Sequence, residues 1–436
     1  MNKNKFLTST IILTISGIIT KILGFIIRII TTRIVGTEVI SLYSVVIPTY
    51  SLLITIATLA LPTTISKLVS ENNKKSSIIL SNSLLIITII NFFVVSIMLL
   101  SSKFISNNLL HEPKCFLILI SASLTFPIVS ISSIIKGYFF GKMNMLPNSV
   151  SNIVEQITRY ILITLIVPKC ISISPILGAS SLFIISMLTE VISIIVNLLF
   201  LPKKINLNKE DLLPNKFIIK DILGISIPSV SSRIIGNIGY FFEPIILMNL
   251  LLYSGYSKSY ILKEYAIYNN YSIPILTVPS FFIISISLSL IPEISKYYKL
   301  NNIIMVKKRL KQAILFSLII GIFYSIILLF FGDNILYAIY NTYEGLNYIK
   351  VLAPIFVLFY LENILISFLQ AINKASITMK ITLIGVIVKL LSLSILSIMH
   401  IGIYSLIISE IINIFIVVYL NYREIKRTFK FDKCPL

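Results

Sequence analysis

Charge is what this sequence has least of. Of its 436 residues, 12% are Asp, Glu, Lys or Arg, while 56% are hydrophobic. A soluble domain covers its surface with about a quarter charged residues. At half that share, water is not the main solvent, and the chain reads as an all-α polytopic membrane protein. The same figures exclude disorder and a disulfide-stapled secreted scaffold. Tryptophan is absent, the three cysteines (Cys115, Cys170, Cys434) form no CxxC, and the two histidines lie far apart. No zinc or haem site is legible, so no metal is expected. Cys434 stands third from the end, out of place for a prenylation box. A Gly-rich phosphate loop, a nucleophile elbow and an HExxH are all missing. A transporter is therefore expected, and neither an enzyme nor an ATP-driven pump.

Acid is scarcer still than base: 17 Asp and Glu stand against 37 Lys and Arg, a net charge of +20. In a soluble chain that excess would point to nucleic acid. Here it belongs to the connections between apolar runs, and no nucleic-acid partner is expected. A spanning helix needs ~20 mostly apolar residues. Twelve segments qualify: 6–30, 39–66, 77–101, 115–135, 148–168, 176–201, 218–249, 266–292, 312–331, 349–371, 377–398 and 402–421. Lys3 and Lys5 precede the first run without a nearby small-residue cleavage site, as in an uncleaved first span. With the N-terminus cytoplasmic, the even-numbered connections and the tail hold most of the lysines and arginines. Examples are Lys67, Lys74 and Lys75, Lys203 to Lys220, Lys307 to Lys311, and Arg423 to Lys433. Miscounting one helix would scramble that bias, so the expectation is twelve spans with both termini cytoplasmic. Anionic membrane lipid is the natural neighbour of such loops.

No connection is long enough to fold by itself, so function must sit among the helices. Span 2 (Tyr43 to Lys67) and span 8 (Tyr268 to Lys296) are both Pro-broken, and each ends in Pro, Ile, Ser and Lys in that order. A repeat of that kind divides the chain into a lobe of residues 1–201, a linker 202–217, a second lobe 218–422 and a basic tail 423–436. Repeated six-helix lobes build transporters with a central cavity.

The informative residues are charges inside the spans. The cations are Lys21, Arg28, Arg159, Arg233 and Lys389; the acids are Glu155, Glu190, Glu243, Glu362 and Glu410. Each costs at least ~2.5–3.5 kcal/mol at the bilayer centre, so they face a hydrated cavity or one another. Lys21 and Arg28 are seven residues apart, two turns along one helix face. Arginine offers phosphate a planar fork and lysine a point charge, so the five cations are candidates for a diphosphate cradle. The alternative is that they pair off: Glu155 and Arg159 are spaced i, i+4. Glu190 and Glu410 occupy equivalent spans, where a proton or cation relay and a packing hydrogen bond are both open. Coupling to the membrane potential, to H⁺ or to Na⁺ stays open likewise.

Several strings carry a resemblance. ISGIITKILGFIIRIITTRIVG (Ile15 to Gly36), LPTTISKLVSE (Leu61 to Glu71) and GYFFGKMNMLPNSVSNIVEQITR (Gly137 to Arg159) are similar to the stage V sporulation protein B group. So are IPSVSSRIIGNIGYFFEPIIL (Ile227 to Leu247) and VPSFFIISISLSLIPEISK (Val278 to Lys296). That group lies in the multidrug/oligosaccharidyl-lipid/polysaccharide exporter superfamily, which includes lipid II flippases. The resemblance implies alternating access by two six-helix lobes, with a lipid-linked saccharide as substrate. It assigns Lys21, Arg28, Arg159 and Arg233 to the headgroup, Arg33 to the outer vestibule and Glu243 to pairing with these cations. It also implies a role in spore cortex synthesis, a forespore-surrounding membrane and cell-wall synthesis proteins as partners. Many relatives carry fourteen spans against twelve here, and Lys21 lacks the bidentate fork of arginine. A cation-coupled multidrug exporter of the same fold and a non-transporting scaffold are the rival readings.

Overall fold

The structure is a computed structural model that describes residues 3–71, 75–201 and 213–431. Residues 202–212 of the expected linker and 432–436 of the expected tail lie outside the described residues, as do Lys74, Lys203, Lys204, Lys209 and Lys433. Among the described residues the fold is all helical, with no strand. β-Branched residues are modest helix formers in water. In lipid every backbone N–H and C=O must be satisfied within its own segment, and the helix alone does that for an isolated run. Hydroxyls inside the spans follow the same rule by turning back on their own helix. Thr20 Oγ1 donates to the Ser16 carbonyl at 2.7 Å and Ser44 Oγ to that of Ile40 at 2.6 Å.

The helices are α1 (Lys3–Thr58), α2 (Leu61–Ser70), α3 (Ser76–Phe104), α4 (Cys115–Ser123), α5 (Thr125–Gly141), α6 (Leu146–Ile173) and α7 (Pro175–Leu199). They continue with α8 (Lys216–Tyr253), α9 (Lys258–Ile267), α10 (Ile273–Leu276), α11 (Ser280–Lys299), α12 (Ile303–Tyr340), α13 (Leu346–Ala371), α14 (Ala375–Ile398) and α15 (Tyr404–Phe431). By length and composition, ten helices among the described residues are able to cross a membrane, or eleven if the bent pair Lys258–Leu276 and Ser280–Lys299 is one span. The first of them runs 55 residues, from Ser16 to Ser70, and is interrupted at Gly36. That length is more than twice what a bilayer needs. Divided at Gly36, the set accounts for the twelve expected spans.

Gly36 has φ 72 and ψ 173, a conformation essentially closed to residues with a side chain. It ends the first span without a loop. Span 2 is itself broken at Leu59 and Ala60, which have positive φ, and Pro62 opens α2. Span 8 is broken in the equivalent way, with a 57° bend where Pro279 precedes α11. Pro62 and Pro279 thus stand at the start of a new helix, where a missing N–H costs nothing, whereas Pro48 and Pro292 lie inside α1 and α11.

By its contacts the chain divides into two compact units, Met1–Asn237 and Ile238–Leu436. In the first, α6 packs on α7 and α1, while α5 packs on α2 and α7. The α2–α5 pair meets through Gly137 and Gly141, a small-xxx-small spacing that lets backbones approach. A Cβ at Gly141 would lie 2.7 Å from the Val69 Cβ and 2.9 Å from the Ser66 carbonyl oxygen. The first part of α8 joins this unit. Asn237 Nδ2 donates to Thr55 Oγ1 at 2.7 Å, and the hydroxyls of Thr64 and Ser226 are 2.9 Å apart. In the second unit α13 is the central helix, packed by α11, α12 and α15, with α14 against α15.

Candidate functional site

The in-span charges gather into two ion-pair sets, one in each unit. In the first, α5, α6 and α7 bring together Lys136, Glu155, Arg159 and Glu190. Lys136 Nζ lies 2.8 Å from Glu190 Oε1 and 3.6 Å from Glu155 Oε2. Arg159 Nη2 donates to Glu155 Oε1 at 2.8 Å and to Thr189 Oγ1 at 3.3 Å. Side-chain exposures run from 9% for Glu155 to 27% for Arg159, so every member is substantially withdrawn from the surface. The i, i+4 pairing expected of Glu155 and Arg159 is formed. Arg159 Nε is buried with no hydrogen-bond partner among the described residues. Nη2 is committed to the network, while Nε beside it is left as an unused donor among the described residues.

A span ending at residue 135 would leave Lys136 in the connection after it. The structure places it within α5, whose end comes only at Gly141. The turn signals of that connection (Gly141, Asn144, Pro147) all follow Lys136, and ending the span at 135 was a turn too early. Beside the network stands an aromatic wall: Tyr50 stacks on Phe126 at 5.6 Å between ring centroids, and Phe183 lies 5.2 Å from Tyr50 and 5.1 Å from Tyr43. Tyr43 is within electrostatic reach of both Arg159 and Arg28. Arg28 and Lys21 are exposed on the first part of α1, which packs on α6: the hydroxyls of Ser16 and Ser149 are 2.7 Å apart. Arg33 is exposed three residues before the Gly36 break. Arg233 is exposed on α8, one turn before Asn237, and makes no ion pair among the described residues.

The second set crosses α8, α14 and α15. Lys389 Nζ sits 2.6 Å from Glu243 Oε2 and 2.6 Å from Glu410 Oε2. Glu243 is 2% exposed, so its carboxylate depends on the ammonium for compensation. Tyr265 and Tyr268, buried at the broken span 8, face the same charges. Glu362, on α13, is close enough to Glu410 to feel its charge, and has no ion pair among the described residues. Thus Glu155, Arg159 and Glu190 come together, as do Lys389, Glu243 and Glu410, whereas Arg233 and Glu362 stand outside both sets. With Lys21 and Arg28 nearby, the in-span charge of the first unit is net positive; that of the second, with three acids to one lysine, is net negative. Among the described residues no cluster of His, Cys, Asp and Glu fits a metal ion.

The all-helical, multi-pass fold is shared with solved membrane transporters. A multidrug resistance MATE family transporter of the MOP superfamily, in an inward-facing conformation, superposes with a TM-score of 0.77 at 14% identity, over 98% of this chain and 100% of that one. A MOP superfamily transporter from Pyrococcus furiosus gives 0.67 at 13% identity, over 99% and 96%. At such identities the likeness is one of fold. Residues 6–298 match the family described as polysaccharide biosynthesis protein, and the chain belongs to that family. Residues 247–435 match the description lipid II flippase MurJ. Stage V sporulation protein B of Bacillus subtilis (strain 168) is 30% identical over 403 residues, 89% of this chain and 77% of that protein. Sporulation protein YkvU of the same organism is 26% identical over 361 residues, 81% and 79% of the two chains. The resemblance read from the strings of spans 1 to 8 is borne out.

Proposed function

We propose that the chain is a flippase that carries a lipid-linked saccharide, of the peptidoglycan-precursor class exemplified by lipid II, across the cell membrane by alternating access. The observation that carries this reading is Arg159. Its charge lies within a span, it is held in place by Glu155 and Thr189, and its buried Nε has no hydrogen-bond partner among the described residues. An unmet donor at membrane depth is costly, and a phosphate oxygen would satisfy it with a charge-assisted bond. Lys21 and Arg28 on α1, with Arg233 on α8, supply further positive charge for a diphosphate. Lys389 has its charge taken up by two carboxylates and serves this reading as a structural cation. With both termini cytoplasmic, outward transport moves negative charge away from a negative interior, a gain of ~2.3 kcal/mol per charge per 100 mV. That drive needs no cofactor. The relatedness to two sporulation proteins supports a substrate destined for spore cortex, a forespore-surrounding membrane and cell-wall synthesis proteins as partners.

The test is transbilayer movement of fluorescent lipid II in liposomes holding the purified protein, with and without an inside-negative potential. Movement is expected to require the protein, to quicken with the potential, and to slow about tenfold or more in Arg159→Gln, the worth of one hydrogen bond to a charged group. Full movement in folded Arg159→Gln would remove the cradle. A second reading, a cation-coupled multidrug exporter, draws support from the acid excess at Glu243, Glu362 and Glu410. Efflux of a cationic dye, with lipid II inert, would favour it.

A further inference from the structure

The transport reading makes no use of a pocket at the N-terminal end of α12 and the C-terminal end of α15. It has a volume of about 360 Å³. Lys307, Lys308 and Lys311 of α12 and Lys426 of α15 surround it. On α12, Lys311 lies four residues after Lys307 and three after Lys308, so it neighbours both on the helix surface. The floor includes Leu310, Leu365, Ile425 and Phe429, none more than 6% exposed. Lys307 Nζ lies over the Phe429 ring, 5.1 Å from its centroid. Among the described residues no acid lines the pocket. Two carboxylates on adjoining elements already have partners: Glu293 is held by Arg309 at 2.7 Å and Glu424 by Lys374 at 2.7 Å. Among the described residues the lining thus carries four lysines and no carboxylate.

Further along, the same two helix faces become apolar and exposed. On α12 the stripe continues through Leu315, Ile319 and Phe323, and on α15 it runs back through Tyr422, Tyr419 and Phe415. These residues meet acyl chains in a spanning protein. From Lys308 to Phe323 the helix rises roughly 1.5 Å per residue, about the reach of an acyl chain. A basic rim, a dry floor and a continuous apolar track leading out of it are the three parts of a phospholipid. We infer that this pocket binds the headgroup of an anionic bilayer phospholipid, its phosphate among the four lysines and its chains along the α12 and α15 stripes. A soluble anion would meet the lysines and gain nothing from the track, so the bilayer lipid is the occupant the geometry favours. Bound there, it would cross-tie α12 to α15 at the membrane surface.

Native mass spectrometry of the detergent-purified protein tests this, with dioleoylphosphatidylglycerol, dioleoylphosphatidylcholine or inorganic phosphate added. The wild type should retain phosphatidylglycerol in preference to phosphatidylcholine. The variant Lys308→Gln/Lys311→Gln/Lys426→Gln, altered only at exposed positions, should lose at least about tenfold of that retention, since each lysine near an anionic headgroup is worth a factor of about five. A control of equal charge loss elsewhere, Lys103→Gln/Lys169→Gln/Lys350→Gln, should retain the lipid as the wild type does. Should the first triple variant fail to fold, the single changes Lys308→Gln and Lys426→Gln read the same loss in steps of about fivefold. Equal retention in all variants, equal loss in both triples, or displacement of the lipid by millimolar inorganic phosphate would each overturn the assignment.

Discussion

Lys136 and Glu190 are 54 residues apart in sequence, and the lysine ammonium sits 2.8 Å from the carboxylate. The pair joins α5 to α7, and through the 3.6 Å contact with Glu155 it joins both to α6. Breaking a buried ion pair from one side strands the other charge, which costs about 3–5 kcal/mol. Lys136→Met should therefore lower the thermal stability of the purified protein strongly. Lys136→Met/Glu190→Gln should recover a good part of it, because the stranded charge is gone. Thermal unfolding followed by tyrosine fluorescence in detergent measures both. A single variant as stable as the wild type would mean that the cluster is solvated and that its geometry carries no energy.

In the second unit one lysine answers to two acids. Removing it in Lys389→Met leaves Glu243 and Glu410 facing each other without a cation. Loss of folded protein on size-exclusion chromatography is expected, and Lys389→Arg should restore much of it. The triple variant Lys389→Met/Glu243→Gln/Glu410→Gln should also fold, since a buried charge set replaced as a whole is often neutral in stability. If the triple variant is as damaged as Lys389→Met, the lysine acts through packing and not through its charge.

The helices and most of the in-span charges were legible because lipid punishes charge and irregular backbone so heavily that each exception stands out. The i, i+4 contact of Glu155 with Arg159 could be read from spacing alone. Partners that meet across helices could not. Nothing in the string shows that Lys136 turns toward Glu190, or that Lys389 lies between α8 and α15, because those contacts depend on the rotation of each helix about its axis. Lys136 was hidden for a second reason. It lies near a span end, where lysine is common and usually points to headgroups. The double break of spans 2 and 8 was marked by proline, whereas the sharp break at Gly36 was marked only by one glycine in an apolar run.

That glycine allows a clean test of backbone conformation. A Cβ at Gly36 would find nothing within 4 Å, so no neighbour objects to a side chain. The objection is the backbone itself, at φ 72 and ψ 173. Gly36→Ala should destabilise by about 1–3 kcal/mol, the usual range for such strain. Because no neighbour clashes, Gly36→Leu, which is not branched at Cβ, should cost little more than Gly36→Ala. Thermal unfolding of the two variants decides: a much larger loss for leucine would show that the space around the break is occupied in the membrane.

Gly141 poses the opposite case, a position with ordinary helical backbone and no space. Its missing Cβ would fall 2.7 Å from the Val69 Cβ and 2.9 Å from the Ser66 carbonyl oxygen, so α2 and α5 must separate to admit even a methyl group. Overpacking of this kind costs about 1–3 kcal/mol. Gly141→Ala should lower the unfolding temperature, and Gly141→Leu should lower it much further. Adding Val69→Ala to Gly141→Ala removes the Val69 Cγ1, 2.9 Å away, but leaves both the Val69 Cβ and the Ser66 carbonyl, so rescue should be slight. Gly137→Ala, whose Cβ would meet Pro62 and Ile65 at 3.0–3.1 Å, should fall between wild type and Gly141→Ala. Since α2 is the second half of broken span 2, the same variants should alter transport where they alter stability. If Gly141→Leu keeps wild-type stability, the close approach of these helices is not what holds span 2 against the rest of the first unit.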